Sequence, residues 1–213
     1  YVGALASCLA PLSVSAIATA TTTGTTAWSA SSSAPARGYQ YYYSSTHAAP
    51  TATTTPSGSV GAGVTTAPLT GLTANTTYYV WVRSSCNATT TSGWSSSATF
   101  TTPCNAADVT YTEDFESVTT PAVPACTTLQ NAGSGNSWAT AANPGSGFTS
   151  KTLRYSYNST NAANAWFYTQ GLNLTAGVSY RLSYRYGNNS TTYVEKLKVA
   201  YGASNDYNAM TTV

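Results

Sequence analysis

The stretch from Leu72 to Cys86, LTANTTYYVWVRSSC, constrains this chain more than any other. Leu72, Thr76 and Tyr78 lead into Val80 and Val82, an alternation that places one face of a β-strand in a core. A tyrosine in that position commonly turns its hydroxyl back onto upstream backbone at the corner between two packed sheets. Tyr78 is therefore expected at such a corner, in a sandwich of short strands.

Composition separates a folded reading from a disordered one. Charged residues make up 7% of the 213, against a usual level of about 25%, and Ser plus Thr supply roughly a third, a bias often seen in disordered segments. However, the chain also holds 17 Tyr and 5 Trp. With Val and Leu spaced at period two, it has enough apolar surface to offset the entropy of ordering. The formal charge of +2 is spread over eight basic residues without a run, which makes nucleic acid an unexpected partner. No run of eighteen apolar residues exists, so membrane insertion as a helix is not expected.

Strands are expected over residues 12–17, 25–30, 38–44, 64–69, 76–85 and 94–102, with an irregular Ser/Thr/Pro-rich stretch at 48–59. About seven short strands in about 95 residues is the sandwich count. This unit resembles a fibronectin type III domain. Pro11 opens the first strand, Trp28 in TTAWSAS stands where that family buries a tryptophan, YQYYYSS matches the third strand, and LTANTTYYVWVRSSC matches the sixth. Ala74 stands where the family usually has proline. The wording of YYYSS, LTGLTANTTYYVWVRSSC, GWSSSATF and TTPC is similar to type III repeats in large secreted surface proteins of Bacteroidetes. Those proteins often carry next a cleaved-adhesin or MAM-like jelly roll. YTEDFES at 111–117, PAC at 124–126, NSW at 136–138, AWFYTQGLNLTAG at 165–177 and YRLSYRYG at 180–187 resemble the opening of such a module.

The expected fold is thus all-β: an immunoglobulin-like type III sandwich followed by an incomplete jelly-roll sandwich. The boundaries expected are residues 1–7 as the end of a preceding segment or linker, 8–103 as the type III domain and 104–213 as the N-terminal part of the jelly roll. The chain starts at Tyr1 rather than Met and stops at Val213, which reads as a cut from a longer polypeptide. Paired strands are expected over 180–187 and 193–201.

Cys8, Cys86, Cys104 and Cys126 form no CxxC pair and cluster with no histidine, which argues against zinc and for disulfides in an oxidising compartment. The type III resemblance implies that the sixth strand returns to the pole where the chain entered, pairing Cys8 with Cys86. A Cys86–Cys104 bridge is disfavoured, because the seventh strand carries Cys104 about 30 Å away. That leaves Cys104 with Cys126; four unpaired buried thiols are the alternative.

His47 is the one histidine, and no carboxylate precedes Asp108, so a histidine-based triad is not expected. Of six acids, three fall at Glu113, Asp114 and Glu116. Alternation along a strand would place Asp114 and Glu116 on one face, about 7 Å apart, without the facing pair a glycosidase needs. The jelly-roll resemblance implies instead a structural calcium near this segment, with Asp114 and Glu116 as ligands; a solvated acidic strand start is the alternative. A second candidate site follows from the same alternation. With Tyr39, Tyr41 and Tyr43 facing inward beside Tyr78, Val80 and Val82, the outward set is Tyr42, Tyr79 and Trp81, joined by Arg83. Such a face suits stacking on a sugar ring or on an aromatic-rich protein surface, or packing on an adjacent module. Asn-x-Ser/Thr sequons occur at Asn75, Asn87, Asn158, Asn173, Asn188 and Asn189, most of them expected by chance in so Asn- and Thr-rich a chain.

The function expected is a non-enzymatic extracellular or cell-surface segment of an adhesin, giving spacing and weak polyvalent attachment. Its expected partners are surface glycans, other surface proteins and neighbouring modules of the same chain. A carbohydrate-binding accessory region of a secreted hydrolase or protease is the alternative, as is a subunit or cargo of a surface filament or secretion machine.

Overall fold

The computed structural model describes residues 8–145, 147–192 and 195–212. The chain is all-β and divides into two compact units, Tyr1–Asn105 and Ala106–Val213.

Unit 1 contains β1 (Leu12–Ala18), β2 (Gly24–Ser29), β3 (Tyr39–Ser44), β4 (Gly58–Val60), β5 (Thr66–Leu69), β6 (Thr77–Ser84) and β7 (Ala98–Thr101). They form two antiparallel sheets, one ordered β1-β2-β5 and the other β4-β3-β6-β7. Facing sheets of short strands with alternating residues make a sandwich. The core follows from that alternation. Val80 and Val82 on β6 are fully buried, and Tyr78 joins them with Leu69, Leu72 and Phe100. A second cluster gathers Trp28, Tyr39, Ala67 and Val82, with Trp28 meeting Tyr39 edge to face at 5.4 Å. Register pairs Tyr43 with Val80 and Tyr41 with Val82, and Tyr41 and Tyr43 pack on this core. Gly38 enters β3 at a φ of +79°, and a Cβ there would collide with the carbonyl of Val60, so this turn needs glycine.

The corner is closed by Tyr78. Its hydroxyl accepts a hydrogen bond from the Thr73 amide at 2.9 Å, inside the 73–78 turn that feeds β6. The turn is pinned again by Thr102, whose amide donates to Thr76 O at 3.0 Å and whose hydroxyl donates to Thr73 O at 2.6 Å. At the opposite pole Cys8 and Cys86 are bonded. Cys104 and Cys126 are disulfide-bonded too, and no cysteine is free among the described residues. The strand expected over 94–102 is shorter, because Trp94 leaves the sheet and β7 starts at Ala98.

Unit 2 contains β8 (Ala107–Asp108), β9 (Thr128–Asn131), β10 (Trp138–Ala141), β11 (Thr152–Tyr155), β12 (Ala165–Tyr168), β13 (Leu172–Asn173), β14 (Ala200–Tyr201), a 3-10 turn at Tyr207–Ala209 and β15 (Thr211–Thr212). The strands pair two by two: β8 with β13 in parallel, and β9 with β12, β10 with β11 and β14 with β15 antiparallel. Trp138 packs on its ladder partner Tyr155 and donates from Nε1 to the Ala165 carbonyl of β12 at 2.8 Å, while Phe115 packs on Phe167 and Trp166 on Tyr207. Tyr168 is buried, and its hydroxyl donates to Gln130 Oε1.

Two expectations about unit 2 need correction. Residues 111–117 do not form a strand. Glu113 Oε1 accepts the Phe115 amide at 2.7 Å and Asp114 Oδ1 accepts the Glu116 amide at 3.0 Å, so carboxylates take the donors a ladder would use. Phe115 sits at a φ of +62°, a turn conformation. Residues 180–187 also enter no strand, and of the expected 193–201 strand only Ala200–Tyr201 pairs, with β15. Tyr193 and Val194 lie outside the described residues.

Candidate functional site

The outward face of β3 and β6 is the most elaborate arrangement of side chains in unit 1. Tyr42 opposes Trp81 and Gln40 opposes Arg83 across the β3–β6 ladder. Ring centroids of Tyr42 and Trp81 are 6.0 Å apart, and those of Tyr79 and Trp81 6.3 Å. The four residues expected on one face are therefore brought together. Their exposure differs from expectation: Tyr42 and Tyr79 are half-buried, but Trp81 is only 3% exposed and Arg83 only 6%.

The cover comes from the chain itself. The irregular stretch after β3 folds back over the sheet. His47 stacks on Tyr79 at 4.2 Å, and its Nε2 lies 3.1 Å from Ser97 Oγ. The Ala52 carbonyl accepts from Arg83 Nη1 at 2.9 Å, and the Thr51 carbonyl accepts from Trp94 Nε1 at 2.9 Å. Trp94 then lies over the guanidinium, 4.4 Å from ring centroid to Cζ, and meets Tyr42 at 6.2 Å. Arg83 also donates from Nε to Gln40 Oε1 at 2.8 Å. It has no carboxylate partner among these contacts, so its charge is held by amide dipoles and a π face. Burial pushes the Arg83 guanidinium below its ordinary value, because a desolvated cation is harder to keep.

Sequence reasoning named Tyr42, Tyr79, Trp81 and Arg83 but not Gln40, His47 or Trp94. Gln40 was accessible to it, since alternation puts that residue on the same face as Tyr42. Nothing in the local sequence signals that residues 47–54 return over a strand thirty residues downstream.

The acidic segment of unit 2 was the other candidate. Besides the two turn hydrogen bonds already described, Glu116 Oε1 accepts the Lys151 amide at 2.7 Å. The Lys151 ammonium donates to the carbonyls of Glu116 at 2.9 Å and Val118 at 2.7 Å. Calcium needs six to eight oxygens converging on one point. Here the main-chain oxygens of the turn already receive a cation, and a carboxylate oxygen of each candidate ligand is directed at backbone N–H. Asp114 Oδ2 and Glu116 Oε2 lie outside those hydrogen bonds.

In sum, unit 1 is a disulfide-bonded immunoglobulin-like β-sandwich with an aromatic outer face sealed by its own loop. Residues 9–101 match the family model of the fibronectin type III domain, and the first unit is a domain of that family. Among solved structures the chain is similar to the FN1–FN3 domains of chicken CNTN1, at 22% identity over 44% of this chain and a TM-score of 0.37. It spans 30% of that chain's length. It is similar also to the FN5 domain of Drosophila Lar, at 17% identity over 46% of this chain and 100% of that one, with a TM-score of 0.34. The third fibronectin III domain of human KIAA0343 protein is 19% identical over 50% of this chain and 94% of that one, with a TM-score of 0.38. No curated protein matches the sequence.

Proposed function

We propose that this chain is a non-enzymatic segment of a large multidomain secreted or cell-surface adhesin, of the kind found in surface proteins of Bacteroidetes. The type III module spaces and stiffens. Unit 2, read as the opening part of an adhesin-like jelly roll, contributes to attachment through weak contacts that gain strength when many copies are linked. The observation that carries this reading is the sealed outer face of unit 1. Trp81 and Arg83 are spent on holding residues 47–54, which suits a stiff spacer better than an open pocket.

A carbohydrate-binding accessory role is the second reading, favoured by one feature: Tyr42, Tyr79 and the exposed His47 ring still reach the surface around Trp81. The two are separated by displaying the chain on beads at rising density over cells or immobilised surface glycans. Spacing with polyvalent attachment predicts monomer binding too weak to measure and bead retention rising by about a hundredfold or more with density. Tight monomer binding to an oligosaccharide, abolished by Tyr79→Ala, would overturn it in favour of the second reading.

A further inference from the structure

Unit 2 carries a slot of about 420 Å³ between two segments that enter no strand among the described residues, 178–187 and 195–199. Leu182 and Tyr184 of the first segment line it together with Lys196, Leu197, Lys198 and Val199 of the second and Thr212 of β15. Leu182 is 69% exposed, Tyr184 54% and Leu197 48%, unusual values for apolar residues at strict period two. Backbone outside any ladder, flanked by exposed apolar and basic side chains, is a template for an added strand.

The charges say which strand. Arg181 and Arg185 alternate with Leu182 and Tyr184, and Lys196 and Lys198 alternate with Leu197 and Val199. These four are half of the chain's eight basic residues, and Glu195 is the one acid within the two segments. Two of them rest on aromatic faces: Arg185 Cζ lies 5.4 Å from the Phe148 ring centroid and Lys198 Nζ 5.5 Å from that of Trp166. A second copy offering its own 178–187 would bring two more arginines against these cations, a like-charge pairing that weakens strand addition.

We propose that the slot binds an extended acidic strand from a partner, one that alternates apolar side chains with Asp or Glu. Its apolar side chains would enter between Leu182, Tyr184, Leu197 and Val199. Its carboxylates would face Arg181, Arg185, Lys196 and Lys198, and its backbone would pair with the unladdered segments. This role is separate from the spacing assigned to unit 1.

The test uses the full chain and fluorescent peptides of about nine residues, enough to span the 178–187 segment in extended form. One peptide alternates valine with glutamate, one alternates valine with lysine, and one carries the valine and glutamate in two blocks. The valine/glutamate alternation is expected to bind about tenfold tighter than either control and to weaken as salt rises from about 0.05 M to about 0.5 M. It should also slow hydrogen exchange at the amides of 180–186 and 196–199. The double variant Arg181→Glu, Arg185→Glu should shift preference toward the lysine peptide, an outcome that misfolding cannot imitate. Equal binding of all three peptides, or none, overturns the proposal. A dimer in sedimentation that protects the same amides without peptide would overturn it in favour of a second copy.

Discussion

Replacing Tyr78 by Phe removes one oxygen and leaves the ring, which still stacks on Phe100 at 5.8 Å and meets Tyr43 edge to face at 6.3 Å. The cost is therefore that of the hydroxyl alone. The Thr73 amide loses its acceptor at 2.9 Å in a part-buried turn, and a stranded donor of this kind costs about 1–3 kcal/mol. Thr73 is itself exposed, so water recovers some of the loss and about 1.5 kcal/mol is expected, close to tenfold in the unfolding equilibrium. Tyr43 supplies the control. Its hydroxyl donates to the exposed Thr70 carbonyl at 2.7 Å, where water replaces it readily, so Tyr43→Phe should stay within about 0.5 kcal/mol. Urea unfolding of the full chain, read through hydrogen exchange at the β6 amides, measures both. With an m value of about 1–3 kcal/mol/M, Tyr78→Phe should lower the midpoint by about 0.5–1.5 M. Equal shifts for the two variants would refute the argument that this hydroxyl fixes the start of the strand.

Cys8 and Cys86 are 78 residues apart, and closing a loop of that length stabilises by about 4.5 kcal/mol on the chain-entropy model. The Cys8→Ala, Cys86→Ala pair should lower the urea midpoint of unit 1 more than Tyr78→Phe does, and a smaller shift would count against that account. Lys151→Met removes the ammonium from the carbonyls of Glu116 and Val118 and should cost about 1.5–3 kcal/mol, the range for hydrogen bonds to charged groups. Adding about 1 mM calcium, a concentration that fills weak extracellular sites, should leave the melting temperature of the unsubstituted chain unchanged. A rise of several degrees would show that Asp114 and Glu116 do bind the ion.

What could be read from the sequence was whatever depends on neighbours along one strand. The alternation through Tyr78, Val80 and Val82 placed those three in the core, since a one-residue slip would have exposed all of them. The same alternation put Trp81 and Arg83 on the outer face but gave no hint of their burial, because the cover is a loop whose contacts are long-range. The acidic segment misled for a different reason. Asp114 and Glu116 flank Phe115 as on a strand, yet Glu113 and Asp114 offer the amides two residues on a nearer acceptor, and local side-chain bonding won over the ladder. Around Leu182 the strand periodicity is plain, while pairing depends on where another segment lies, which periodicity does not encode.

The sealed outer face also follows from how few charges the chain has. Sheets commonly guard an outer surface with lysine and glutamate, whose heads stay in water while their stems cover apolar neighbours. Unit 1 has no acid before Asp108 and only Arg37 and Arg83 as cations, so that device is missing. Aromatic rings take over the covering, and rings need something to pack on. Residues 47–54 provide it, held by the carbonyls of Thr51 and Ala52. A cation at Arg83 then has to be satisfied without a carboxylate, which favours guanidinium over ammonium. Its planar fork reaches Gln40 and Ala52 at once while its face lies against Trp94. A compact, strongly hydrated lysine head would meet at most part of that set. The arginine, the indole and the strap form a single device, and a hydroxyl-rich sheet without surface charge is protected by it.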